Sequence, residues 1–350
     1  MKKELLMGTA LVSTLGAASV AEAVTATMSG NHQVGLEFES PNSGTDQTKQ
    51  LSDNNFTVSL SETTDAGMTI SSSFMLANET MGGTDGDAGL TLAFTDGSKL
   101  DVINAGNASG SHDISIPSSA GSEGISAVTA VNAPSGMDFM TASTIYGVEY
   151  HTAADFLVDG LTMSFSASTD NQVAATTYKV DGHVAVGGTY VTSLGDSAVT
   201  IGFGYSETEG AKTGTQVTSD EGGAHFGISA VTGDLTVAVG FADGDSMETA
   251  VDSTANGSQV DGEYVAAGAK YVSGDLTFNV GFASGTAKDS ETIGTAGTSE
   301  DSLDSVSASV SYAVASGVTA YLGYTDKDAE NEGAASTDGS AWYIGANMSF

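Results

Sequence analysis

The sequence predicts an all-β chain, a sixteen-stranded antiparallel transmembrane β-barrel, and three observations carry that expectation. The first is alternation with period two: FTVSL (56–60), LTLAF (90–94), LTMSF (161–165), VTIGFGY (199–205), LTVAVGF (235–241), LTFNVGF (276–282) and VTAYLGY (318–324) each set a large apolar residue beside a small or polar one. Such alternation makes a strand with one apolar and one polar face. The second is an asymmetry of connections. Tight Gly-Asp or Ser-Gly turns near Gly160, Gly195, Gly233, Gly274 and Gly317 face long polar stretches at 206–221, 243–260 and 284–303. Short turns at one end and long loops at the other fit a membrane barrel. The third is the last strand, AWYIGANMSF, in which Trp342, Ile344, Ala346, Met348 and Phe350 share one parity up to the final residue.

Taken in chain order, residues 1–23 open with Lys2 and Lys3, continue as an apolar stretch from Leu5 to Val20 and close on Ala21-Glu22-Ala23. That layout predicts a secretory signal peptide cut after Ala23. The rest, 24–350, reads as one barrel domain with no apolar run long enough for a membrane helix. Strands are expected at 24–38, 54–63, 68–77, 88–95, 98–105, 143–152, 161–169, 178–192, 198–206, 223–231, 235–243, 259–272, 275–283, 304–313, 318–325 and 341–350. The count is even, as a single-chain bacterial barrel requires. The apolar parity carries more large side chains than an enclosed core would need, whereas the other parity is Thr, Ser, Asn, Gly, Glu and Asp. Apolar side chains therefore face lipid and polar ones a water-filled lumen. Tyr150, Tyr190, Tyr205, Tyr271, Tyr312, Tyr324 and Trp342 are candidates for interfacial girdles. An open edge is not tolerated in lipid, so the last strand must pair with the first, near VTATMSGNHQVGLEF.

Composition narrows the chemistry. The 350 residues contain no cysteine, and 44 acidic against nine basic residues give a net charge of −35; every basic residue is lysine. Disulfides and thiolate chemistry are excluded, and nucleic-acid binding lacks its basic footprint. The five histidines form no zinc-protease motif, and neither a nucleophile elbow nor a phosphate loop is present, so the chain is not expected to be an enzyme and requires no cofactor. Calcium is a candidate for the acidic loops GGTDGDAG and ADGDS, through Asp85, Asp87, Asp243 and Asp245. Solvated acidic loops are the plainer account of the same residues.

In layout the mature chain resembles a Gram-negative general porin of the alphaproteobacterial type, through SGNHQVGLEFE, FTVSLSETTDAGMTISSSFML, GSKLDVINAG and AWYIGANMSF in that order. The resemblance implies a homotrimer in outer-membrane lipid, with each barrel holding its own pore. It also makes the C-terminal strand, with Trp342, Ile344 and Phe350, a signal read by the outer-membrane assembly machinery. In such proteins the long third loop folds inward and narrows the channel. Its counterpart is 106–142, the longest stretch without alternation, which carries Asp113, Glu123 and Asp138. Relatives set loop acids against wall arginines, and commonly have arginine where this chain has Asn107. Lys99, Lys179 and Lys270, whose parity is inward, are the basic candidates for the facing wall. His151, His183 and His225 share inward parity, and His32 falls on the apolar side.

The expected function is passive diffusion of ions and small hydrophilic solutes. Removing residues 1–23 leaves 42 acidic residues against seven lysines, which predicts a preference for cations. Two alternatives share the alternation: a substrate-specific channel on the same barrel, and a secreted calcium-dependent β-rich adhesin.

Overall fold

A computed structural model describes residues 24–41, 45–78, 89–102, 107–118, 147–169, 180–210, 218–249, 259–290, 299–330 and 338–350. The expected signal peptide lies outside them. Sixteen strands alternate up and down: β1 Thr25–Pro41, β2 Gln47–Thr63, β3 Thr69–Asn78, β4 Leu90–Ala93, β5 Lys99–Val102, β6 Gly147–His151, β7 Leu161–Thr169 and β8 Val180–Leu194. The second half is β9 Ser197–Gly210, β10 Thr218–Thr232, β11 Leu235–Thr249, β12 Gln259–Ser273, β13 Leu276–Ser290, β14 Ser299–Ala315, β15 Val318–Glu330 and β16 Gly339–Ser349. Each pairs antiparallel with its sequence neighbours, and β1 pairs with β16, so the sheet is a closed barrel. Among the described residues no helix is long and apolar enough to cross a membrane.

Closure is made residue by residue. Gly35 faces Gly345, Leu36 faces Ile344 and Phe38 faces Trp342. Past β16, the Phe350 N–H donates to the Gly30 carbonyl at 3.1 Å and the Gly30 N–H donates to the Phe350 carbonyl at 3.2 Å. The Phe350 ring lies 6.0 Å, centroid to centroid, from Phe56 on β2. The terminal aromatic thus locks both strands beside it.

The turns follow from local chemistry. Thr232 faces Leu235 and Ser273 faces Leu276 across two-residue hairpins made of Gly233-Asp234 and Gly274-Asp275. The glycines take φ of +57° and +61° while the aspartates stay at negative φ, the type II′ arrangement that matches strand twist. A Cβ at either glycine would meet no neighbour, so the backbone angle alone demands glycine there.

Side chains sort by parity. On β13, Leu276, Phe278, Val280 and Phe282 are exposed on the outer face, whereas Asn279, Gly281 and Ala283 turn inward and are covered. Just beyond the tight turns, Leu161 faces Tyr190, Leu235 faces Tyr271 and Leu276 faces Tyr312. Towards the other end, the Tyr324 and Trp342 rings pack against each other at a tilt of 46° with centroids 4.6 Å apart. These aromatics mark the two edges of an apolar band, as girdles do.

Several strands outrun their expected limits. The stretches expected at 198–206, 235–243, 275–283 and 318–325 extend to Gly210, Thr249, Ser290 and Glu330, and β2 begins at Gln47 rather than 54. Much of what reads as acidic loop is therefore strand. Above Phe241 the outward positions of β11 become Asp243 and Asp245, facing Glu263 and Asp261 of β12. The apolar pattern ends with the hydrocarbon, but backbone pairing needs no apolar side chain and continues into water. Conversely β4 ends at Ala93 and β5 begins at Lys99, inside the expected 88–95 and 98–105, while 88 and 103–105 lie outside the described residues.

Deleting Phe350 removes two hydrogen bonds at the seam, each contributing about 1 kcal/mol. The truncated barrel should unfold at lower urea concentration, with stability reduced by about 2 kcal/mol, and refold in lower yield, as read by heat-modifiable gel migration.

Candidate functional site

Residues 107–118 lie inside the barrel, along its inner wall from β6 to β13. The segment opens with a local turn: the Asn107 side-chain oxygen accepts from the Ser109 N–H at 2.9 Å, and a single 3-10 turn spans Gly110–His112. Thus Asn107 shapes the loop through its side chain and supplies no charge. The wall then holds it at a succession of points. Ser166 on β7 accepts from the Ala108 N–H at 3.0 Å. His225 on β10 donates from Nε2 to the Ser109 carbonyl at 2.8 Å. Ser111 donates to Glu149 on β6 at 2.6 Å.

The wall is shaped for this contact by residues without side chains. A Cβ on Gly187, Gly202 or Gly268 would strike the carbonyl oxygen of Ala108, His112 or Pro117. At Gly227 it would lie 2.7 Å from the Ile114 Cβ, and at Gly281 2.9 Å from the Ser118 Cβ. Gly202 and Gly227 are direct neighbours across β9 and β10, as are Gly268 and Gly281 across β12 and β13. Glycine on successive strands makes a shallow track in which the loop sits. Ile114 is buried in it, and burying such a side chain contributes about 1.5–3 kcal/mol.

His112 is the polar anchor. Its Nδ1 pairs with Thr189 Oγ1 and its Nε2 with Ser164 Oγ, both at 2.7 Å. Ser164 Oγ also pairs with His151 Nδ1 at 2.7 Å, and His151 Nε2 pairs with Asp101 Oδ2 at 2.9 Å. Asp101 further accepts from Thr91 and, at 3.2 Å, from Lys99. One hydrogen-bonded chain thus runs from β4 through β5, β6 and β7 to the loop and β8. Burial pushes the His112 pKa down to about 4, helped by the nearby His151 and His225, so the docked ring is neutral at pH 7.

Of the expected constriction residues, Asp113 sits on the loop with 65% of its side chain exposed, 3.6 Å from His225 Nδ1. Lys99 is held to Asp101 on the inner face of β5, and Lys270 lies on β12, across from Asn279. Glu123, Asp138 and Lys179 lie outside the described residues, as do Asp85 and Asp87. Asp243 and Asp245 lie on the barrel's outer face with Asp261 and Glu263 opposite, so among the described residues the calcium candidates extend an acidic ladder. Trp342 and Ile344 face outward at the seam, and Phe350 closes it. Sequence reasoning missed His112, Asp101 and Glu149. The available signal was the same-face spacing of Glu149 and His151, with Asp101 on the preceding strand.

A closed sixteen-stranded barrel with an apolar exterior, a polar interior and a loop laid on its inner wall defines an outer-membrane channel. Residues 8–332 match the family model for Gram-negative porin, and the chain belongs to that family. Its fold resembles an anion-selective porin from Comamonas acidovorans, at TM-score 0.66 and 12% identity over 93% of this chain and 100% of that one. A refined porin structure aligns at TM-score 0.63 and 18% identity, with 93% and 100% covered. OmpT, an outer membrane protein of Vibrio cholerae in its trimer form, aligns at 0.61 and 15%, with 93% and 99% covered. No curated protein sequence matches the chain. The protein is a porin of the Gram-negative outer membrane, and the family is one of channels.

Two outcomes follow from the docked loop. The chain has no cysteine, so Ser115→Cys gives a unique site for a nitroxide label. The label should be immobile in the parent barrel and mobile when Gly227→Val lifts Ile114 from its track. Acid should act in the same direction. The undocked ring titrates near its ordinary value of 6.5 and the docked ring near 4. As pH falls through that window only the undocked form gains a proton, so docking weakens; above it both forms are neutral and docking no longer varies with pH through His112. His112→Gln should flatten this part of the pH profile.

Proposed function

We propose that this porin is a passive diffusion channel for ions and small hydrophilic solutes that prefers cations and works as a homotrimer. The observation that carries the ion preference is the pairing of the lysines. Lys49 lies 2.5 Å from Glu39 and Lys99 lies 3.2 Å from Asp101, while Asp113 projects into the lumen. Among the described residues Lys49, Lys99 and Lys288 stand against carboxylates, whereas Asp113 has the His225 ring beside it and no lysine paired with it. A carboxylate lining favours cations. That a Comamonas porin of the same fold is anion-selective fits this reading, since the fold leaves the sign of selectivity to the lining charges.

Glu123 and Asp138 on the expected loop 106–142 would extend the acidic side of the constriction, with Lys179 and Lys270 opposite. The trimeric Vibrio cholerae relative supports threefold assembly. Residues 1–23 would be removed on export, and Trp342, Ile344 and Phe350 would be read by the assembly machinery.

In a planar bilayer under a potassium chloride gradient, the zero-current potential should have the cation-selective sign. One charge about 8 Å from a passing ion in water contributes about 0.5 kcal/mol, or about twofold for each ion sign. Asp113→Asn should therefore reduce the cation-to-anion permeability ratio. A potential of the opposite sign from folded, conducting protein would remove the reading.

A further inference from the structure

Beside the docked loop lies a constellation that diffusion through the pore does not use. Asp101 faces Glu149 directly across β5 and β6, and His151 lies two residues further along the same inner face. One ligand atom from each falls within 4.8 Å of both others. His151 Nε2 is 2.9 Å from Asp101 Oδ2 and 3.5 Å from Glu149 Oε1. Ligands held about 2.0–2.2 Å from a shared zinc-type ion are separated by about 2.9–3.5 Å, from right-angled to tetrahedral. The two histidine edges have those lengths.

The surroundings are those of a metal site. Asp101 is oriented by Thr91, Glu149 by Ser111 and His151 by Ser164. Outer partners of this kind fix the angle and tautomer of metal ligands. The hydrogen-bonded chain through Ser164 can run in either direction. In one, Thr189 donates towards His112 and His151 donates from Nε2 to Asp101. In the other, His151 donates from Nδ1 to Ser164, Ser164 donates to His112 and His112 donates to Thr189. The second direction keeps the bonds among His151, Ser164, His112 and Thr189, gives up the one from His151 Nε2 to Asp101, and turns the Nε2 lone pair towards the carboxylates.

Glu149 independently calls for positive charge. It is 1% exposed, yet among the described residues its partners are the Ser111 hydroxyl and the His151 ring, and the nearby ammonium of Lys99 goes to Asp101 instead. A buried carboxylate without a paired cation is costly. Imidazole with two carboxylates suits zinc and its transition-metal neighbours, whereas calcium and magnesium take oxygen alone.

We propose that Asp101, Glu149 and His151 bind one divalent transition-metal ion of the zinc class on the pore wall, at the foot of the docked loop. Water fills its open positions. Lys99, with nearly half its side chain exposed, turns into the lumen as the metal takes Asp101. Because Ser111 holds Glu149, the ion also ties the loop to the wall. The site is independent of the sign of ion preference in the pore.

Zinc chloride titrated calorimetrically into the full-length folded barrel should give one ion per chain. His151→Gln and Glu149→Gln should weaken binding by more than the roughly 10–100-fold that loss of an outer partner costs, the effect expected for Ser164→Ala. Asp245→Asn, on the outer ladder, should change nothing. Folding of each variant is read by gel migration. On the unaltered protein, copper(II) should show electron paramagnetic coupling to a single imidazole nitrogen, abolished by competing zinc. Absence of zinc binding, equal binding by folded His151→Gln and Glu149→Gln variants, or a copper signal without nitrogen coupling would overturn the proposal.

Discussion

The structure depends on one requirement: in hydrocarbon every backbone N–H and C=O must find a partner within the protein. Sixteen strands in a ring satisfy it only if the first and last meet, and here they meet along Asn31–Pro41 and Gly339–Ser349 with Phe350 and Gly30 exchanging two further bonds. Everything else is arranged around that ring. Apolar side chains face outward because lipid is there. Polar ones face inward because water is. The glycine turns exist because the strands must reverse without splaying.

The inner wall has a second task, to receive a length of chain that crosses the ladder direction. The solution combines removal and addition. Side chains are absent along the track from Gly187 to Gly281, where backbone meets backbone. Hydroxyls and imidazoles are present at its start, where Ser164, Ser166, Thr189 and His225 hold residues 108–112. The loop is thus seated by shape over most of its length and oriented by hydrogen bonds at one end.

Much of this was legible in advance. Alternation marked the strands because lipid on one face and water on the other impose it, and the turn glycines stood out because positive φ leaves few other choices. Strand ends were hidden where both faces become polar, as in Asp243–Ser246, since pairing there leaves no hydropathic trace. The inward loop was legible only through its length and place after the fifth strand. The glycine track was visible as residues, but each glycine also suits an ordinary strand, and only the register shows that they adjoin. His112 lay in a segment with no period, so nothing in the sequence tied it to Ser164 and Thr189, 52 and 77 residues away.

The tight turns have an electrical aspect as well. Asp196, Asp234 and Asp275 each follow a turn glycine, and Asp65 and Asp96 occupy the corresponding corners of the β2–β3 and β4–β5 connections. Residues chosen because they bend the backbone therefore encircle the short-turn mouth with carboxylates. Hairpin geometry and an anionic rim are supplied by the same dipeptides. Replacing one of those aspartates would alter the vestibule's local ion concentration within about 8–10 Å while leaving the bend to its glycine.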